Sequence, residues 1–342
     1  MSQMKTVQIK LKPTKTQAKE LKRLSEEYIR QANVLVQQAI REEKFPRVTS
    51  KNIESGIPSA LKNELIRYAK SKHKQFGKCT FKRPMLSYNN QSFSVDSTAI
   101  RFPIMADGKA KKTAIKAVIP EELFVLLSGS KLGTLKITKK GFHWIAQISV
   151  PTEEKEFVGE GILGVDLGIL CPAVGVVAAD GKTQFFGNGR QNKHLRRKYK
   201  ELRRQLGKQK KVNAIRTIND KESRIMRDIN HKLSRQIVTF AAENNCSAIH
   251  LENLSGIRRT SRLRGKNKAN LHSWTFYELS SFIAYKAREF GIKVVYIKPE
   301  YTSQTCPSCG ERNKVKDRNY HCGCGYHAHR DRVGALNIAK TI

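Results

Sequence analysis

Acidic residues are scarce in this sequence: 29 Asp and Glu stand against 65 Lys and Arg, a net charge of +36 over 342 residues. Solubility needs far less charge, and so large an imbalance repels itself unless a polyanion compensates it. Nucleic acid is the first candidate partner. Long apolar runs are missing too. None approaches the roughly 18 residues of a membrane span, and the opening MSQMKTVQIK has no apolar signal core, so the expected location is the cytoplasm. There is no internal repeat or low-complexity tract. Cysteine is sparse before residue 300, with only Cys79, Cys171 and Cys246 in apolar or mixed surroundings, where a thiol behaves as a small hydrophobe. Seven cysteines in a chain of this size, expected in the cytoplasm, argue against a disulfide framework as the organising principle.

The chain is long enough for two or three compact units. VQIKLKPT alternates like a strand and stops at Pro13, and residues 14 to about 43 then turn helical, with Leu21, Leu24, Tyr28, Ala32, Leu35 and Ala39 at three- and four-residue spacing. A second helical stretch covers 59–75. Between 79 and 150 come short alternating runs, TFKRP, QSFSVD, TAIRFP, GTLKITKK and GFHWIAQISV, which predict a small antiparallel barrel with the N-terminal strand as its first member. The polar link PTEEKEFVGEG closes that region. Beyond it, ILGVDLGI, a hairpin partner turning at Asp180-Gly181, a basic helical hairpin over 190–235, SAIHLENL, an amphipathic helix and IKVVYIKP predict a mixed α/β sheet. Phe142, Trp144, Trp274, Phe276 and Phe290 sit at core spacing and are expected to be buried.

Two carboxylates interrupt apolar strands, Asp166 in ILGVDLGIL and Glu252 in AIHLENL; a third, Asp331, adjoins a predicted helix end. A carboxylate in such a run is costly to bury unless paired or bound to metal. Taken singly, each reads as a residue pointing outward at a strand end. Three together match what phosphodiester hydrolysis requires, several hard oxygen ligands for two divalent ions about 4 Å apart, which favours magnesium or manganese. Four cysteines fall within 19 residues: Cys306 and Cys309 as C-x-x-C, then Cys322 and Cys324 one residue closer than usual. Four thiolates leave zinc no open position, so the site reads as structural. His321 or His327 in place of one cysteine, an empty site and free packed thiols are the alternatives.

The segments GVDLG, HLENLSGIR, PEYTSQTCPSCG and HRDRVGALNIA resemble the TnpB (OrfB) proteins of bacterial insertion sequences, relatives of the type V CRISPR nucleases. The resemblance is dense from residue 161 onward and rests before that on LKPTKTQ and the order of elements. It implies an α+β multidomain chain: a wedge-like β-barrel over 1–14 and 76–155, a helical recognition domain over 15–75 inserted in it, a RuvC-like nuclease domain of ribonuclease H fold over 161–300 and 325–342, and a zinc finger inserted over 301–324. It also implies that Asp166, Glu252 and Asp331 are catalytic and bind two Mg2+ or Mn2+, with one structural Zn2+ on Cys306, Cys309, Cys322 and Cys324. The partners implied are a guide RNA from the chain's own locus and double-stranded target DNA, in a bacterial or archaeal cytoplasm, against the nucleoid when bound. The function implied is RNA-guided DNA cleavage next to a short target-adjacent motif. Many relatives have Asn where this chain has Val333, a difference read as packing.

Residues 190–235 carry 17 Lys and Arg against four acids, and phosphate neutralisation is the simplest compensation for that excess. In the resembled family this insertion lies along the guide and target duplex. Arg196, Arg197, Lys198, Arg203, Arg204, Lys210 and Lys211 are its candidate contacts, and Arg258, Arg259, Arg262 and Arg264 extend the set into RRTSRLRGKNK. His329 and Arg330 adjoin Asp331; contact with the scissile phosphate is one reading of them, and solvation at the surface is the favoured one. Competing readings are a guided repressor that does not cut, an unguided RuvC-like nuclease or transposition accessory protein, and a strand-transfer transposase, whose triad ordinarily runs Asp, Asp, Glu.

Overall fold

The alternation of VQIKLK becomes strand β1 (Gln3–Leu11), whose inward residues Ile9 and Leu11 are buried. Helix α1 (Lys15–Arg41) starts on a capping box: Thr14 Oγ1 accepts from the Gln17 amide at 3.2 Å, and Gln17 Oε1 accepts from the Thr14 amide at 3.0 Å. The computed structural model describes residues 3–152, 155, 159–254, 276–298, 300–315 and 317–341. They divide into two units, Met1–Glu153 and Glu154–Ile342.

In the first unit, helix α2 (Ser59–Phe76) follows α1. Strands β2 (Met85–Tyr88), β3 (Ser94–Val95), β4 (Ala99–Ala106) and β5 (Lys109–Val118), helix α3 (Glu121–Ser128), β6 (Leu135–Lys140) and β7 (His143–Thr152) complete it. The sheet is antiparallel, in the order β2-β6-β7-β1-β5-β4-β3. It curls. Strands β2 and β4 stand five places apart, yet the Tyr88 hydroxyl donates to the Pro103 carbonyl at 2.8 Å and the Tyr88 and Phe102 rings lie 5.2 Å apart. No ladder joins the edge strands among the described residues, so the expected barrel is an incompletely closed sheet. One core spans it and both helices, including Leu21, Leu24, Tyr28, Leu61, Leu65, Phe102 and Trp144. Each such side chain stabilises by about 1.5–3 kcal/mol.

Two expectations fail here. TFKRP is irregular rather than a strand, because Asn33 of α1 takes over its backbone at Phe81, donating to the carbonyl and accepting from the amide. Phe142 is 97% exposed, since it occupies the two-residue turn between β6 and β7 where no side chain reaches the core. Trp144 and Phe276 are buried and Phe290 partly so, while Trp274 lies outside the described residues.

The second unit opens with β8 (Gly161–Asp166), β9 (Ala173–Val177) and β10 (Thr183–Phe186), then α4 (Gly189–Lys208) and α5 (Val212–Glu243). Strand β11 (Cys246–Glu252), helix α6 (Phe276–Glu289) and β12 (Lys293–Ile297) follow, and a small hairpin, β13 (Asn319–His321) and β14 (His327–His329), leads into α7 (Arg330–Lys340). The sheet order is β10-β9-β8-β11-β12, antiparallel from β10 to β8 and parallel from β8 to β12. Alternate residues of β9 serve opposite layers. Ala173 and Val177 pack in the core shared with α5 and α6, whereas Val174 and Val176 meet Ala335 and Leu336 of α7. Covering both faces explains the uninterrupted AVGVV.

Candidate active site

Asp166 and Glu252 are the last residues of neighbouring parallel strands, and the pairing of Val165 with Leu251 sets them side by side. Asp331, 7% exposed, is the second residue of α7. That helix lies close on β8 because Gly164 has no side chain: a Cβ there would sit 2.1 Å from the Ala335 carbonyl oxygen. One turn beyond Asp331, Gly334 leaves room for the Asp166 carboxylate, whose Oδ2 would stand 3.1 Å from a Cβ at that position. The strand ends and the helix start thus bring three acids to one place.

Their electrostatics follow. Burial, then the nearby charges of Glu252 and Asp331, pushes the Asp166 carboxyl up to about 8. Burial also raises Glu252, offset in part by a hydrogen bond from Thr302 Oγ1. Arg318 Nη1 donates to Asp331 Oδ2. Thr302 is in turn held by Asn337 of α7, whose Nδ2 donates to the Thr302 and Thr305 carbonyls at 2.7 Å each. The three carboxylates do not close into the tight cluster that the cysteines form. An array for two ions about 4 Å apart has to be the wider of the two. Hard oxygen donors, buried and set beside one another, fit divalent cations.

The four cysteine sulfurs all lie within 4.8 Å of one another, with Cys306 and Cys324 at 3.7 Å and Cys309 and Cys322 at 3.4 Å. Tetrahedral zinc with ligands at about 2.3 Å sets its sulfurs about 3.8 Å apart, so the group fits. Among the described residues neither histidine joins it; His321 and His327 face each other across the hairpin instead. Against the upward push of burial, the amides of Cys309 and Ser308 bring the Cys306 thiol down to about 7. Cys306 packs with Tyr320 and Val333, which gives the Asn-to-Val departure its packing role. Strand β14 runs straight into α7, and the His329 side chain caps the helix by accepting from the Asp331 amide at 3.3 Å. His329 therefore has a structural partner of its own.

Among the described residues the predicted basic contacts separate into two groups. Arg197, Lys198, Arg204, Lys210 and Lys211 are exposed. Arg196 and Arg203 turn toward Glu222 across the α4–α5 hairpin, Arg203 Nη1 donating to its carboxylate and Arg196 Nη1 standing 4.0 Å from it. Arg258, Arg259, Arg262 and Arg264 lie outside the described residues. Sequence reading missed Thr302, Asn337, Arg318, Gly164 and Gly334. The two glycines carried a signal, each standing two or three residues from a catalytic candidate in an element where glycine is otherwise unfavourable.

Residues 276–338 match the family model described as Cas12f1-like, TNB domain. A CRISPR-associated endodeoxyribonuclease Cas12f1 of Sulfoacidibacillus thermotolerans is 33% identical over 218 residues, covering 57% of this chain and 50% of the relative. A TnpB-like protein of Methanocaldococcus jannaschii is 33% identical over 123 residues, 35% of this chain and 44% of that one. The chain spans about half the length of the curated relatives it matches. In fold it is similar to the protein in a cryo-EM structure of a Cas12f1-sgRNA-target DNA complex, with a TM-score of 0.71 over 94% of this chain and 82% of that one at 16% identity. No described helix is long and apolar enough to cross a membrane.

Proposed function

Taking as premise that this chain belongs to the TnpB-like, type V effector family, we propose that it is an RNA-guided DNA endonuclease. It cuts DNA beside a short target-adjacent motif, with a RuvC-like site of ribonuclease H architecture in its second unit. The observation that carries the proposal is the meeting of Asp166, Glu252 and Asp331, with the Asp166 carboxyl pushed up to about 8 by burial first and then by the charges of Glu252 and Asp331. Such a site gains from divalent cations what it loses by crowding three acids.

Asp166, Glu252 and Asp331 would hold two magnesium or manganese ions. When bound, the pair supplies an activated water and charge stabilisation at the leaving oxygen. The rest belongs to the chain. Thr302, braced by Asn337, fixes the rotamer of Glu252, and Arg318 holds Asp331 at the helix start. Water attacks phosphorus in line, the bond to the 3′ oxygen breaks, and that oxygen leaves as a hydroxyl beside a 5′-phosphate. Cys306, Cys309, Cys322 and Cys324 would hold one zinc that keeps the β13–β14 hairpin, and so Asp331, in place. Exposed cations of α4 and α5 supply phosphate contacts, while guide pairing supplies sequence specificity. The guided repressor loses support from the retention of all three carboxylates.

The test is to express the gene with its native flanks, purify the protein and sequence the RNA that accompanies it. A discrete structured RNA from the same locus, ending in a variable segment, is expected. Degraded bulk RNA alone would move the assignment to an unguided nuclease.

A further inference from the structure

Phe142 is the most exposed large apolar side chain among the described residues, at 97%. It is the second residue of a two-residue turn closed by Lys140 and His143, with Gly141 supplying the φ of 58° that the first turn position needs. A phenyl ring there buries nothing. The turn borders a cleft of about 990 Å3 within the first unit, lined by Lys22, Lys82, Arg83, Lys139 and Lys140 against one carboxylate, Glu26. Lys22 lies 3.8 Å from Glu26, and Lys140 donates to Gln8 Oε1 at 3.0 Å. Lys82, Arg83 and Lys139 have no carboxylate within ion-pair distance among the described residues.

Those uncompensated cations sit on fixed backbone. The loop carrying Lys82 and Arg83 is clamped at Phe81 by the two hydrogen bonds to Asn33, at 3.0 and 2.8 Å, and the Phe81 ring packs 4.9 Å from Tyr68. Lys139 belongs to β6 and pairs across to the buried Trp144. In the same cleft the Thr138 hydroxyl is buried without a protein partner. Holding like charges in fixed positions costs stability, and an anionic ligand that spans them returns it. The cleft is far too large for a lone phosphate. Gly141 lines it, and the next residue along the turn is the exposed Phe142.

We infer that this cleft takes the sugar-phosphate backbone of a nucleic-acid strand, and that Phe142 stacks on a base left without a neighbour at the end or junction of a duplex. Cations recognise phosphates and position the strand. An aromatic side chain recognises a base face, and within a continuous duplex those faces are hidden. The inference rests on the nucleic-acid reading above and adds the place where a helix stops.

The experiment uses the full chain and a partly duplex oligonucleotide carrying 2-aminopurine at its junction. F142A is expected to bind about 5- to 150-fold more weakly with the dependence on salt unchanged, because stacking releases no counterions. It should also lose the quenching of 2-aminopurine, and F142W should restore both. Replacing Lys82, Arg83 and Lys139 together by Gln is expected to lower the slope of log K against log salt by about 2 to 3. Variants that keep the wild-type affinity, quenching and salt slope while guided cleavage proceeds would overturn this inference alone. A change in oligomeric state on F142A would overturn it by assigning the ring to a protein contact. A wild-type chain that binds no nucleic acid would overturn the nuclease reading as well.

Discussion

Two glycines predict opposite responses to the same added methyl. Gly164 lies under α7, where a Cβ would meet the Ala335 carbonyl at 2.1 Å, the Ala339 amide at 2.4 Å and the Ala339 side chain at 2.7 Å. Two of these are backbone atoms, so the helix itself has to move. Gly164→Ala is expected to cost about 1–3 kcal/mol or more and, by shifting Asp331, to reduce cleavage beyond what lost folding explains. Gly207, near the end of α4, meets nothing within 4 Å, and Gly207→Ala should stabilise by about 0.5–1 kcal/mol. Denaturant melts of the pair decide this, and equal effects would mean that α7 does not press on β8. Lys286 is a different case: a buried ammonium donating to the His231 carbonyl and to Ser234 Oγ at 2.7 Å. Burial, then Arg235, brings it from 10.5 down to about 8. Between about pH 8 and 10.5 the folded chain thus binds fewer protons than the unfolded one, so this residue makes stability rise with pH across that window. Lys286→Met should flatten the rise, which melting at pH 7.5, 9 and 10 will report; an unaltered profile would mean that the ammonium keeps its hydration.

At the scale of elements, legibility followed the source of each signal. The helical stripe from Leu21 to Ala39 and the run ILGVDLGI were readable because burial on one face or on two writes itself as periodicity. The motif LKPTKTQ takes its meaning from the Thr14–Gln17 cap, with Gln17 Nε2 also donating to the Ala114 carbonyl of β5 at 3.2 Å. TFKRP misled because alternation cannot foresee a side-chain amide 48 residues away. The acids and cysteines were legible as residue types out of place, whereas Thr302 and Asn337 were not, being ordinary until folding brings them together. The β13–β14 hairpin joins the two halves of the site, since Arg330 N donates to the Arg318 carbonyl at 2.8 Å and Arg318 reaches Asp331. Removing the proposed zinc should therefore reduce cleavage at least tenfold and raise amide exchange at the start of α7, with the five-stranded sheet left protected. Full activity in a preparation verified to be zinc-free would sink the idea that zinc holds Asp331.

For the whole molecule, the proposed function separates binding from cutting by charge. The excess of 65 cations over 29 acids is spread along the chain, whereas the proposed chemistry depends on three carboxylates near one another in the second unit. Asp166 is the member most penalised in the absence of cations, its carboxyl being pushed up to about 8 by burial and by Glu252 and Asp331. Removing its charge should thus have three separable effects. Asp166→Ala removes one of the three proposed metal ligands, and cleavage is expected to fall by three orders of magnitude or more, about 4 kcal/mol of barrier. Affinity for guide RNA and target DNA should stay within a factor of two, with the same salt slope, because no phosphate contact is lost. Asp166→Asn, which keeps the shape and removes the charge, should melt higher than the wild type at pH 7 in chelator, since functional carboxylates are retained against stability. With magnesium present that advantage should shrink or reverse, because only the wild-type site gains from the ion. Cleavage that survives either substitution would place the catalytic centre elsewhere. Loss of binding in step with cleavage would mean that the carboxylates hold the fold of the second unit together rather than serve the proposed chemistry.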